Sequence, residues 1–128
     1  MLADNLLVTD PAIRCEIEAL IVEHAWMLDH HQSNQLADLY TDGGRLTGIG
    51  PDRIGHEAIA SYGRKRAKMI ERKARHVCTN IRLLKDGPKR IRSLCTITLF
   101  RCDGDEMGTA DPVALADAED VFVLCDDG

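Results

Sequence analysis

Aromatic residues are scarce in this chain. Trp26, Tyr40, Tyr62, Phe100 and Phe122 are the whole set, 4 % of 128 residues. None of them interleaves the one basic run, Arg64 to Arg75, which places seven basic residues in twelve positions. Ala67, Met69, Ile70 and Ala74 interrupt that run at helical spacing, so it reads as a solvated helix face. Positive charge is also in deficit. Sixteen Lys and Arg stand against 21 Asp and Glu, a net charge of −5. Neutralising phosphates needs an excess of cations, so no nucleic-acid partner is expected. No apolar run approaches the roughly 20 residues of a membrane span, so no membrane partner is expected. Met1 to Asp10 holds two acids and no base, which does not read as a signal peptide. The five cysteines are an odd number with no CxxC pair. Free thiols in a reducing cytoplasm are the expectation. HExxH is absent, and His24, His30 and His31 are not four apart on a helix face, so no metal site is expected. GxSxG, a phosphate loop and GxGxxG are absent too, and no cofactor is expected.

What is present fits one domain spanning residues 1–128. A chain of this size buries about two-thirds of its unfolded surface, enough for a core without staples. Thr9-Asp10-Pro11 supplies an N-cap acid and a proline at the first helical position. Ile13, Ile17, Leu20, Ile21, His24 and Leu28 follow at helical spacing, predicting a helix over 11–30. A short second helix fits Asn34 to Tyr40. Thr41-Asp42-Gly43-Gly44 is a turn, and Arg45 to Ile49 a short strand. A third helix should run from His56 to about Arg72, burying Ile59, Tyr62, the stem of Arg66, Met69 and Ile70. The period then changes. His76 to Leu84 and Arg90 to Arg101 read as strands around Asp86-Gly87-Pro88. Glu106 to Leu115 is loop-like, and Glu119 to Cys125 a last strand. Helices ahead of meandering strands predict an α+β fold with an antiparallel sheet. A curved sheet with helices in its concavity leaves a mostly apolar pocket with a few placed polar groups.

The polar candidates are few. His24 lies within the apolar stripe of the first helix, where it is either a hydrogen-bonded core residue or a pocket group able to change charge near neutral pH. Asp29 closes that helix, where the dipole disfavours an acid. Its placement hints at another task, or at an Arg or His partner. Alternation places His76, Cys78 and Asn80 on one face of their strand, and Val77, Thr79, Ile81 and Leu83 on the other. The second, apolar set is the expected core side. Cys78, two residues after His76, is the one cysteine beside a base, and a weak nucleophile candidate.

Several segments, taken in order, resemble a known family. They are His24-Ala-Trp26-Met-Leu28-Asp29, Leu36-Ala-Asp-Leu39-Tyr40-Thr-Asp42, Gly55-His-Glu57-Ala58-Ile59, Arg75-His76-Val-Cys-Thr-Asn80, Arg92-Ser93 and Glu119-Asp120-Val-Phe122 with Asp127-Gly128. The series, from about residue 11 to 128, looks like the SnoaL-like, scytalone dehydratase-like branch of the nuclear transport factor two-like superfamily. The resemblance implies a cone of curved antiparallel sheet around a pocket, capped by the N-terminal helices. It implies an Asp at the end of the first helix and a His opening a sheet strand as the acid–base pair, here Asp29 and His76. His24 falls where relatives place a pocket tyrosine. Trp26, Leu28, Tyr40, Ile59, Tyr62, Asn80, Ser93 and Cys95 would line the substrate site. The dehydratase's second pocket histidine has no counterpart in Ser93-Leu-Cys95-Thr-Ile-Thr. The implied activity is cofactor-independent dehydration or isomerisation of a cyclic hydroxy-ketone, with a small apolar or aromatic ligand and a homodimer or homotrimer. The alternative is a non-catalytic binding or structural subunit, such as the small subunit of an aromatic-ring-hydroxylating dioxygenase.

Overall fold

A computed structural model of the chain describes residues 6–48, 50–104 and 111–128. Ile49, the expected end of the first short strand, and residues 106–110 of the expected loop lie outside the described residues. Helix α1 spans Pro11–Asp29. Asp10 caps it, its carboxylate accepting from the backbone N–H groups of Ala12 and Ile13. This satisfies donors that the first turn leaves orphaned. Past its C-cap His30, His31 sits in the left-handed region at φ 58°. The Gln32 N–H then reaches back to the Met27 carbonyl at 2.9 Å, a Schellman closure.

The short second helix expected over Asn34 to Tyr40 is a 3-10 helix, Ser33–Leu39. Seven residues make too few i→i−4 bonds to offset helix nucleation. Buried Leu36 and Ala37 hold the segment in place. Strands β1 (Arg45–Leu46) and β2 (Arg53–Ile54) form a minimal antiparallel pair. Helix α2, His56–Ala67, buries Ile59, Gly63 and Arg66 along one stripe. Gly63 is required by its neighbour: a Cβ there would collide with the Ser33 carbonyl oxygen. The Ser33 hydroxyl also donates to the Gly63 carbonyl at 2.8 Å.

Helix α2 stops five residues before the expected Arg72. Met69 and Ile70, expected on its buried face, lie beyond its end and are exposed, Ile70 at 69 %. The reason is competition. From Arg72 onward the chain is taken by strand β3, Arg72–Lys85, which pairs with β4, Arg90–Asp103, from Arg72↔Asp103 to Lys85↔Ile91. Strand β5 is Ala114–Val123, earlier than the expected Glu119 to Cys125. Its Ala-Leu-Ala-Asp-Ala start hides a strand period, and the ladder from Leu99↔Ala114 to Arg90↔Val123 decides it. The sheet order is β3-β4-β5, antiparallel throughout and not closed into a barrel. Among the described residues no helix is long and apolar enough to cross a membrane.

The face assignment of β3 is corrected by a bulge. The register shifts between Thr79 and Arg82, and Asn80 adopts φ 55°. Before the bulge the inward residues are Ala74, His76 and Cys78. After it they are Ile81 and Leu83. Val77 and Thr79, expected on the core side, therefore face outward. An extra residue in one strand inverts its alternation from that point on. Two small cores result. Met27, Leu28, Leu36, Ala37 and Ile59 form one, between the helices. Val8, Ile17, Ile21 and Leu83 form the other, between α1 and the sheet. The segment before α1 helps seal the second: the Val8 N–H donates to the Leu83 carbonyl at 3.0 Å.

Candidate functional site

The end of α1 lies against the start of β3. Asp29 is buried, and its carboxylate grips His76 twice. One oxygen accepts the His76 backbone N–H at 2.8 Å, and the other sits 2.6 Å from His76 Nδ1. This explains an acid at a helix C-terminus. The dipole's cost there, about 0.3–1 kcal/mol, is offset by two hydrogen bonds to a carboxylate, each worth more. With Nδ1–H donating to the carboxylate, the imidazole's free lone pair is on Nε2.

A cleft of about 250 Å³ opens at this pair. Val22, Ala25, Trp26 and Asp29 line it from α1, and Arg75, His76 and Cys78 from β3. Those α1 residues repeat at three- and four-residue spacing, which puts them on one stripe. Trp26 is 50 % exposed at the cleft's edge. The His30 ring stacks on it at 3.7 Å between centroids, and His30 Nδ1 is tied to the Trp26 carbonyl at 3.0 Å.

His24 lies deeper, 2.8 Å from the Tyr40 hydroxyl through Nε2. Burial, and then the charge of His76, push its pKa down to about 4. It is therefore neutral at pH 7. Burial first, then the charges of Asp120 and Tyr62, raise the Tyr40 phenol, so it stays protonated. Asp120 stands on the inner face of β5, opposite Ser93. Desolvation and the neighbouring Glu119 raise its carboxyl, although part of the side chain remains open to solvent. Cys78 is no activated nucleophile. Burial and then the neighbouring Cys95 push its thiol up to about 11.

The expected site residues thus divide. Asp29, His76 and Trp26 meet at the cleft. His24 and Tyr40 form a second polar pair, near enough for His24 to feel the charge of His76. Leu28 and Ile59 lie outside that cleft. They are core residues, filled around by Leu36, Ala37 and Met27, with Tyr40 and Tyr62 packed against them. The Tyr62 ring carries the Arg53 guanidinium 4.2 Å above its centroid. Ser93 and Cys95 are buried on the inner face of β4. Asn80 is exposed on the bulge and outside the cleft, because its backbone conformation and not its side chain is what that position uses. Val22, Ala25 and Arg75 were missed as lining residues; their spacing to Asp29 and His76 was the available signal. Among the described residues no three His, Cys, Asp or Glu side chains converge to hold a metal ion.

Comparison with known proteins places this geometry. Solved structures of the same fold include a Catenulispora acidiphila protein in complex with S-DNPA, 21 % identical at a TM-score of 0.74 over 91 % of this chain and 85 % of that one. A nuclear transport factor two-like protein with a cystatin-like fold from Novosphingobium aromaticivorans is 19 % identical at 0.74, covering 90 % and 74 %. A scytalone dehydratase candidate from the same organism is 15 % identical at 0.74, covering 93 % and 80 %. Curated proteins give no match. The model of the SnoaL-like domain matches residues 12–128, from the first turn of α1 past the end of β5. With that match across nearly the whole chain, the protein belongs to the SnoaL-like domain family, and its structural neighbours share its fold.

Proposed function

We propose that the protein is a cofactor-independent acid–base lyase or isomerase, dehydratase-like, acting on a small cyclic hydroxy-ketone. The observation that carries this reading is the Asp29–His76 pair, 2.6 Å apart, buried on the carboxylate side and open to a cleft on the other. His76 Nε2 takes the proton α to the substrate carbonyl. Asp29 holds the ring in the required tautomer and stabilises its charged form, as a carboxylate does beside a catalytic histidine. The electron pair left by the proton forms the new double bond as the β carbon–oxygen bond breaks. The imidazolium returns its proton to the leaving hydroxyl, which departs as water. His24 and Tyr40 supply the second arm. A neutral His24 orients the Tyr40 hydroxyl, and that hydroxyl polarises the substrate oxygen. Trp26 and Val22 offer the apolar wall for a ring.

The test is turnover of a panel of cyclic β-hydroxy-ketones, followed by the absorbance of the conjugated enone. His76→Ala should lower kcat about 10²–10⁴-fold, the usual contribution of a positioned acid–base group. Asp29→Asn should fall in the same range with KM little changed. Full activity in His76→Ala would sink the reading and leave the protein as a binding module.

A further inference from the structure

Strand β3 is an edge of its sheet, paired with β4 on one side only. Alternate residues of an antiparallel strand turn their N–H and C=O groups away from the partner strand. The His76 N–H goes to Asp29 and not to β4, so Ala74, His76 and Cys78 are the outward residues before the bulge. The register agrees: Leu99, opposite His76, accepts the Val113 N–H on its far side. After the bulge the outward residues are Ile81 and Leu83. Several of these groups are answered. The Ala74 carbonyl accepts from Arg75 Nη1 at 2.6 Å, and the Ile81 carbonyl from Arg14 Nη2 at 3.2 Å. The Leu83 carbonyl accepts from Val8. Between them, the His76 carbonyl and both backbone groups of Cys78 have no partner among the described residues.

Those groups border the Asp29–His76 cleft. Arg75, His76 and Cys78 all line it, although alternation turns their side chains to opposite faces. A cleft that touches both sets looks onto the strand's edge. Its other wall is α1, where Val22 and Trp26 are exposed. An apolar wall facing a few polar groups is the composition of a small-molecule site. A ligand that covered the three backbone groups without bonding them would lose about 1–3 kcal/mol for each. The fitting ligand therefore carries an acceptor for the N–H and a donor for a carbonyl. A hydroxy-ketone carries one of each. The spacing also suits it. Cys78 follows His76 by two residues, about 6–7 Å along the strand. A carbon ~3–3.5 Å from a base, next to a ketone whose oxygen lies ~2.9 Å from a backbone N–H, spans a similar length.

We propose that the Cys78 backbone N–H binds the ketone oxygen of the substrate, and that the Cys78 carbonyl accepts the substrate's hydroxyl. The choice of ligand rests on the acid–base reading of Asp29 and His76. Held at this edge, the ring lies against Val22 and Trp26 and its α-carbon is presented to His76 Nε2. The N–H joins the Tyr40 hydroxyl in stabilising the oxygen as negative charge develops on it. Because the donor is main chain, the thiol of Cys78 takes no part.

The experiment follows the backbone amides of the intact protein by NMR during titration with cyclohexanone, which has no hydroxyl to lose, and with cyclohexanol as the control without a ketone. Before any addition the Cys78 amide should exchange with solvent faster than those of Val77 and Thr79, which face β4. Cyclohexanone should move the Cys78 amide downfield and slow its exchange, and cyclohexanol should do neither. Turnover of the β-hydroxy-ketone panel is then compared in two variants. Cys78→Pro deletes the N–H without removing a ladder bond, the position where an edge strand tolerates proline. It should lower kcat about 10²–10³-fold, the cost of one lost oxyanion donor. Cys78→Ala keeps the N–H and should lose far less. The proposal is overturned if the free Cys78 amide is as protected as its neighbours, if cyclohexanone leaves it unmoved, or if the two variants have equal kinetics. A wild type whose amide responds to cyclohexanone but which turns over nothing in the panel would overturn the acid–base reading and keep the binding site.

Discussion

His24 and His76 face each other electrostatically but are held in opposite ways. His76 has a carboxylate on Nδ1. His24 has a phenol and little solvent, and its pKa falls from 6.5 to about 4. The unfolded chain therefore binds a proton at His24 more readily than the folded one between those values. Stability from this group is fully present above pH 6.5 and is lost as pH falls toward 4. The loss is about 3 kcal/mol at most, at 1.36 kcal/mol per unit. Urea unfolding from pH 7 to pH 4 should show this decline, and His24→Gln should flatten it. A decline of equal slope in the variant would assign the effect elsewhere. Both histidines were legible as candidates from their positions. The partners that hold them were not, because those lie 16 and 47 residues away.

At the scale of elements, α1 was readable nearly to the residue, because its cap, its proline and its apolar stripe are local signals. The joint between α2 and the 3-10 helix was not. It rests on Gly63, whose missing side chain lets the Ser33 backbone lie against the helix. Gly63→Ala should cost about 3 kcal/mol or more, as overpacking against unyielding backbone does. Thermal denaturation checks this, and a variant melting within a degree of wild type would refute the close contact. The bulge at Asn80 was equally hidden. Asn tolerates the left-handed region, but a tolerance does not announce where a strand inverts. Which faces of β3 point inward follows from that one residue, and so does the entry of His76 and Cys78 into the site.

The molecule as a whole is joined at its site. Asp29 and His76 are 47 residues apart, and their contact docks the end of α1 onto the sheet. Removing Asp29 leaves the His76 backbone N–H without its acceptor, and so the pair should be coupled in stability. A double-mutant cycle of Asp29→Ala and His76→Ala should return about 1–3 kcal/mol, the range for hydrogen bonds to a charged group. Additive effects would mean that the grip contributes to geometry alone. The helix–sheet cleft also belongs to this scale, since it draws side chains from separate elements.

The sequence by itself determined the α+β order, the antiparallel meander, the position of α1 and the candidacy of Asp29, His76 and His24. Each rests on patterns within a few residues, where period and capping act. Only the tertiary structure decided the length of α2, the start of β5, the inversion of β3 and the placement of Leu28, Ile59 and Asn80 outside the Asp29–His76 cleft. Those depend on ladder pairing and on what packs above each face, and both are set by contacts between residues far apart in the chain.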